Sequence, residues 1–103
     1  MTLSIAPSSV HAAVQKGSQY FGVELRLAPL DRATFGVNLR EMEALIDSNT
    51  VSVSLNKTQL FVSAPDYPFG VIDNVEAVSE MALKYGLNCH VDACMGSYLL
   101  PFL

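Results

Sequence analysis

The sequence predicts an α/β fold: a partial doubly wound, mainly parallel sheet covered by helices in three αβα layers. Two observations predict it. Stretches rich in β-forming residues alternate with stretches of helical apolar spacing, and the connections between them are short. No repeat, low-complexity tract or interdomain linker interrupts the alternation, so we expect the 103 residues to form one continuous α/β piece.

The first strand is predicted at residues 3–6, where a short apolar run precedes Pro7 and two serines. A helix should follow and end at Gly22, because glycine readily adopts the left-handed conformation that often closes a helix. The next stretch, VELRLA at 23–28, alternates like a strand. The helical spacing is carried by Val10, Ala13, Val14, Gly17 and Phe21.

The second helix is predicted to begin at Asn38, whose side chain can cap it while Glu41 completes a capping-box-like pair. A strand should follow within residues 51–62, although its first half is polar for a central parallel strand. We therefore predict a strand only for Gln59–Ser63. The apolar stripe of the helix comprises Leu39, Met42, Leu45 and Ile46.

The third helix is predicted after the turn-rich stretch SAPDYPFG, with Asp73 as its cap and Glu76 three residues later. Gly86 should end it, and a strand should run over residues 87–93. The apolar face of this helix comprises Val75, Val78, Ala82 and Tyr85.

Composition excludes several function classes. A net charge of −4 and only six scattered Lys and Arg residues provide no basic stripe for nucleic acid. No apolar run approaches the roughly 20 residues of a membrane span, and no signal-peptide pattern is present. Cys89 and Cys94 are poorly placed for a disulfide and incomplete as a zinc site, so we expect a reduced, cytoplasmic chain. GxSxG, Walker and GxGxxG motifs are absent.

The stretch NCHVDACMGSY at 88–98 carries the most informative pattern, because His90 and Asp92 share one face of a predicted buried strand. A buried carboxylate needs a cation, hydrogen-bond donors or a cofactor. One reading is pyridoxal phosphate, whose ring nitrogen an aspartate keeps protonated. A second is an aspartate that caps a turn beside a core histidine, and a third is a divalent metal, for which ligands are lacking.

Two further positions are candidates by location alone. His11 lies in the first turn of the first predicted helix, where it could bind an anion, stack on an aromatic ring or simply be exposed. Ser63 ends a predicted strand, where it could donate to a ligand or stabilise a turn. If the strands are parallel, Ser63 and Asp92 lie along the same edge of the sheet, where ligands of doubly wound folds bind.

Taken together, the order of these segments resembles the sphingosine-1-phosphate lyase family of pyridoxal-phosphate-dependent enzymes, related to the group II decarboxylases. Two motifs carry the resemblance, PxSVHAAxxKxxxYFG at residues 7–22 and HVDACxGxxxxPF at residues 90–102. The similarity extends over nearly the whole chain, which looks like an internal fragment. It implies the large cofactor-binding domain of fold type I.

The resemblance also implies roles for individual residues. His11 matches the histidine that stacks on the ring of pyridoxal 5'-phosphate, and Asp92 matches the aspartate that pairs with the pyridine nitrogen. Ser63 matches a small polar position beside the cofactor. His90 matches the histidine of the same strand motif, for which we expect an orienting role. No metal ligand is implied.

In the family, a phosphorylated sphingoid base is cleaved at a carbon–carbon bond to a fatty aldehyde and phosphoethanolamine. The enzymes are homodimers, and eukaryotic relatives are anchored in the endoplasmic reticulum membrane and face the cytosol. An amino-acid decarboxylase-like fragment is the alternative within the superfamily, although Cys94 and the PF of DACMGSYLLPF favour the lyases. A non-catalytic remnant that only binds a partner is the alternative from another class.

The sequence departs from the family pattern in three places. The Schiff-base lysine should follow the HVDAC segment and the glycine-rich phosphate loop should precede Leu3, and neither motif is present. We therefore expect this fragment alone to be inactive, with no catalytic residue among its own. Residues 52–58, SVSLNKT, look like an insertion into the strand before SAP.

Overall fold

The computed structural model describes residues 3–48, 58–94 and 96–103. Their strands form one fully parallel sheet in the order β2-β1-β3-β4. This confirms the predicted α/β class and the parallel arrangement. The strands are β1 (Leu3–Pro7), β2 (Glu24–Ala28), β3 (Thr58–Ser63) and β4 (Asn88–Asp92).

Among the described residues, three α-helices connect consecutive strands, and a short 3₁₀ turn follows at Leu100–Phe102. The chain passes from β1 to β2 in one direction and then crosses β1 to reach β3 and β4 in the other. Right-handed crossovers therefore place the first helix on one face of the sheet and the other two on the opposite face. The helices are α1 (Ala12–Phe21), α2 (Leu39–Ala44) and α3 (Val75–Tyr85).

The hydrophobic core lies between the sheet and helices α2 and α3. Alternate strand residues point into it, as Ile5 and Leu60 do, and both are fully buried. Cys89 packs against the same core, which confirms the predicted alternation of β4. The buried members of the core are Ile5, Ala28, Met42, Leu60, Val62, Val78, Met81, Ala82 and Leu87.

The opposite face of the sheet is covered less completely. Helix α1 has no buried residue, and an apolar cavity of about 190 Å³ lies between it and the sheet beside Phe61. Strand β4 lies at the edge of the described sheet, so His90 is exposed and Asp92 only half-buried. The prediction of a buried strand around Asp92 is therefore wrong for this chain, because β4 pairs with β3 on one side only among the described residues.

Most predicted helix ends are confirmed. Gly22 and Gly86 close α1 and α3 with φ of 64° and 67°, and the Asn38 side chain accepts the Glu41 N–H. The cap of α3 was assigned wrongly, because Asn74 accepts the Ala77 N–H there. The neighbouring Asp73 is buried and makes other contacts.

The predicted strand Gln59–Ser63 is confirmed and begins one residue earlier, at Thr58. Of the expected insertion at 52–58, Thr58 alone is described, and residues 52–57 lie outside the described part of the chain. Within the described ranges, no helix is long and apolar enough to cross a bilayer.

Gly96, which follows β4, lies close against the segment that follows β3. A Cβ atom at this position would overlap the Ala64 carbonyl oxygen and lie 2.9 Å from Leu100 Cδ1 and 3.0 Å from Pro65 Cδ. We expect Gly96→Ala to lower the free energy of unfolding by about 1–3 kcal/mol, since the overlapped atom belongs to the backbone and cannot rotate away.

Gly17 provides a control for which the opposite change in stability is expected, because it lies within α1 and, apart from its two chain neighbours and the nearby backbone of α1, no described atom would come within 4 Å of an added Cβ. Gly17→Ala should raise the free energy of unfolding by about 0.5–1 kcal/mol through helix propensity. Urea unfolding of both variants tests the pair. Equal stability of the two variants would contradict the close approach at Gly96.

Candidate functional site

Three of the four predicted site residues lie at the carboxyl ends of neighbouring strands. Ser63 and Asp92 end β3 and β4 and are direct partners in the parallel register. His11 follows β1, the neighbour of β3 on its other side. The prediction that Ser63 and Asp92 share one edge is confirmed.

The strand order shows that the direction of winding reverses at this edge, between β1 and β3. The connections after β1 and β3 leave toward opposite faces of the sheet, because the chain reverses its direction of winding between these two strands. A crevice opens at such a reversal, and ligands of open α/β sheets bind there. His11 and Ser63 lie on the two sides of this reversal.

His11 caps helix α1 with its own side chain. Its Nδ1 accepts the Ala13 N–H at 3.0 Å, and its backbone at φ −57° and ψ 142° is not helical. A neutral imidazole that accepts at Nδ1 carries its proton on Nε2, so the outer edge of this exposed ring is a hydrogen-bond donor. The sequence located His11 at the start of the helix but did not reveal the cap.

Tyr67 contacts the His11 ring from the connection after β3. The two ring centroids are 5.0 Å apart, and the ring planes make an angle of 66°, an edge-to-face arrangement. Sequence reasoning missed Tyr67, since a tyrosine in a turn-rich stretch has no distinguishing pattern. The contact joins the connections that follow β1 and β3.

Ser63 is 2% exposed, and its backbone is held by Asp73 on both sides. The Ser63 N–H donates to Asp73 Oδ2 at 2.9 Å, and the Ser63 carbonyl accepts the Asp73 N–H at 3.0 Å. This reciprocal pair fixes the last residue of β3, from which the candidate hydroxyl extends.

Asp73 also reaches the connection between β2 and α2. Its Oδ1 accepts the Val37 N–H at 2.8 Å, so one carboxylate joins two segments that are distant in sequence. Burial raises the pKa of Asp73, the two backbone N–H donors oppose that rise, and the charge of Asp66 adds to it. Its ionised form is therefore held mainly by amide dipoles.

A second buried aspartate, Asp66, closes the turn-rich segment after β3. Its Oδ1 accepts the N–H groups of Phe69 and Val71 at 3.0 and 3.1 Å, and its own N–H donates to the Val71 carbonyl at 2.9 Å. Its Oδ2 is buried without a hydrogen-bond partner among the described residues. Tyr67 is the next residue in this closed loop.

Asp92 has a less saturated environment than either of these aspartates. Its Oδ1 accepts the Cys94 N–H at 3.3 Å, and its backbone carbonyl accepts the Ala64 N–H at 2.8 Å. The ion pairs among the described residues do not include it. Its half-buried carboxylate therefore retains capacity to accept a further hydrogen bond.

His90 lies two residues before Asp92 on the same face of β4. Its ring packs on Phe61, its direct partner in β3, with centroids 5.2 Å apart. Both rings face the α1 side of the sheet rather than its carboxyl edge. The structure thus places His90 away from the carboxyl edge that carries the other three site residues, two residues before Asp92 along β4.

Two lysines are described, and both lie in helices. The Lys84 ammonium group is 2.7 Å from Glu43 Oε1 on the α2–α3 side of the sheet. Lys16 lies over the Tyr20 ring in α1, 5.7 Å from the ring centroid. Lys57 lies outside the described residues.

Comparison with known proteins gives a consistent set of relatives, although no family model matches the chain. It is 38% identical over 99 residues to a sphingosine-1-phosphate lyase of Drosophila melanogaster, and 36% identical over 99 residues to a probable L-tyrosine/L-aspartate decarboxylase of Methanocella arvoryzae. These alignments cover 96% of this chain but 17% and 24% of the two relatives.

A solved structure of a sphingosine-1-phosphate lyase from Burkholderia pseudomallei superposes with a TM-score of 0.84 at 33% identity. The superposition covers 97% of this chain and 21% of that one. The chain thus spans about one sixth of the curated lyase and about one fifth of the solved one.

The raised pKa of Asp73 predicts a pH dependence of stability. The folded chain retains the Asp73 proton to a higher pH than the unfolded chain, so the Asp73 contribution declines as pH rises from the ordinary value of 3.8 to the raised one. The unfolding free energy of the wild type minus that of Asp73→Asn should therefore fall with pH across this window and stay level above it.

Asp31 is the control of opposite sign. Its pKa is lowered by the N–H groups of Ala33 and Thr34, so its contribution is lost as pH falls. The corresponding difference for Asp31→Asn should rise with pH. Urea unfolding over about pH 3 to 7 measures both. If the difference for Asp73→Asn also rises with pH, the pKa of Asp73 is not raised in the folded chain.

Proposed function

Because the chain is homologous to a segment of the sphingosine-1-phosphate lyases, we propose that it provides the ring-binding part of a pyridoxal 5'-phosphate site. The observation that carries the proposal is the register pairing of Ser63 with Asp92, next to the reversal of winding that His11 flanks. This is the edge at which a doubly wound sheet binds ligands.

The side chains at this edge fit the chemistry of the cofactor. A carboxylate with free acceptor capacity, as Asp92 has, suits a protonated pyridine nitrogen. An exposed imidazole, as His11 has, offers a flat surface on which an aromatic ring stacks. Ser63, on the strand between those that lead to His11 and end at Asp92, would add a short hydrogen-bonding group, and His90 packs on Phe61 farther back in β4.

Pyridoxal 5'-phosphate held by these residues would supply an electron sink for the cleavage of a substrate bond. The contribution of this chain is to hold and orient it. Asp92 keeps the proton at the pyridine nitrogen, since removing that proton would leave the carboxylate without its cationic partner. His11 limits the tilt of the ring, and Asp73 keeps Ser63 in place.

For the longer protein of which such a segment forms part, we propose carbon–carbon lyase activity on a phosphorylated long-chain base. The products would be a fatty aldehyde and phosphoethanolamine. We extend the proposal to a homodimer located in the cytoplasm or facing it. The name of the Drosophila relative supports the substrate class.

Amino-acid decarboxylation is the second candidate function. The observation in its favour is the 36% identity to the Methanocella decarboxylase, close to the 38% identity to the Drosophila lyase. Both activities would use the same ring-binding residues. Assay of the longer protein with a phosphorylated sphingoid base and with L-tyrosine or L-aspartate separates them.

Asp92 gives the sharpest test of cofactor binding. We expect Asp92→Ala to weaken the affinity of the chain for pyridoxal 5'-phosphate at least tenfold, since a charge-assisted hydrogen bond is lost, and a tenfold change corresponds to about 1.4 kcal/mol. Titration followed by cofactor absorbance measures it. Glu80→Gln, an exposed position in α3, should leave the affinity unchanged. Equal affinities for wild type and Asp92→Ala would refute the role of Asp92.

We also expect this chain to bind the cofactor without forming a covalent bond at one defined lysine. The resemblance implies a Schiff-base lysine after the HVDAC segment, whereas Lys84 is paired with Glu43 and Lys16 lies over Tyr20 in α1. Borohydride reduction of the mixture, followed by peptide mapping, tests this. Stoichiometric labelling of a single lysine would contradict the expectation, whereas sparse labelling spread over several amines agrees with it.

A further inference from the structure

We propose that Tyr67 is a positioning residue for His11: its ring fixes the orientation of the imidazole that faces the ligand. The proposal rests on the proposed function for the identity of the ligand, but the contact itself belongs to the protein alone. Its basis is the edge-to-face arrangement of the two rings, with centroids 5.0 Å apart.

The helix cap restrains only one atom of the imidazole. Nδ1 is tied to the Ala13 N–H at 3.0 Å, but the rest of this exposed ring lies outside the cap. The Cβ–Cγ bond and this hydrogen bond together still leave the plane of the ring free to tilt. Tyr67 supplies a second point of contact, and two points restrict the tilt. An imidazole with a fixed plane stacks on an aromatic ligand at lower entropic cost.

The loop that carries Tyr67 is itself held firmly. Asp66, the preceding residue, is 1% exposed and accepts the Phe69 and Val71 N–H groups through one oxygen. Its N–H also donates to the Val71 carbonyl. The backbone on which Tyr67 stands is thus closed by three hydrogen bonds.

The other end of the same loop is held by Asp73. Its backbone N–H and its carboxylate bind the carbonyl and the N–H of Ser63, the residue before the loop. The backbone of Tyr67 is therefore held by the end of β3, and the side chain of His11 is held by the start of α1. Their contact therefore fixes the segment after β1 relative to the segment after β3, on the two sides of the reversal of winding.

Three single variants test this in the full 103-residue chain. Tyr67→Leu removes the aromatic ring, Tyr67→Phe keeps the ring and removes the hydroxyl, and Tyr98→Leu removes a tyrosine that is 85% exposed near the C-terminus. Tyr67 is itself 55% exposed, so its substitution should leave the fold intact, as the backbone NMR spectrum would verify.

The first readout is the NMR signals of the His11 ring without any ligand, assigned by comparison with His11→Ser. Tyr67→Leu should shift them, because the ring current of Tyr67 is lost, whereas Tyr67→Phe and Tyr98→Leu should leave them near the wild-type positions. Unchanged His11 signals in Tyr67→Leu would overturn the proposal.

The second readout is affinity for pyridoxal 5'-phosphate. We expect Tyr67→Leu to weaken binding about three- to tenfold, and Tyr67→Phe to restore it. A wild-type affinity retained in Tyr67→Leu would overturn the positioning role. If the wild type itself binds no cofactor, the proposed function fails, and the His11 signals still decide whether Tyr67 orients the imidazole.

Discussion

The buried carboxylate of Asp73 is the interaction on which the candidate site depends. The carboxylate accepts hydrogen bonds from the N–H groups of Ser63 and Val37, and the backbone N–H of Asp73 donates to the Ser63 carbonyl. A carboxylate so deeply buried is tolerated because backbone amides replace its water. Three segments are thereby fixed together: the end of β3, the connection before α2 and the start of α3.

The topology makes this fixed edge a candidate binding position. A parallel sheet directs every strand end to the same side, and the winding of the chain reverses between β1 and β3, the kind of position at which open α/β sheets bind ligands. His11, Ser63 and Asp92 come from three adjacent strands. Tyr67 then bridges the two sides of the reversal. The strand register thus aligns Ser63 with Asp92, and the ring contact between Tyr67 and His11 adds a side-chain restraint.

Much of the secondary structure could be predicted from the sequence, because helix ends and caps depend on residues only a few positions apart. The glycine that ends α1, Gly22, and the cap of α2 by Asn38 were predictable for this reason. Asp73 was misjudged as a cap, since its true partners Ser63 and Val37 lie 10 and 36 residues away. The exposure of β4 likewise depends on which strands lie beside it, which no local pattern specifies.

Cofactor binding at the proposed site depends on one interaction above all, in which the carboxylate of Asp92 would hold a proton on a pyridine nitrogen at this edge. The most direct measurement is the ¹⁵N chemical shift of pyridoxal 5'-phosphate, labelled at its ring nitrogen, when bound to the chain near pH 8. We expect the shift of a protonated pyridinium in the wild type and of a neutral pyridine in Asp92→Asn. A neutral pyridine signal in the wild-type complex would contradict it.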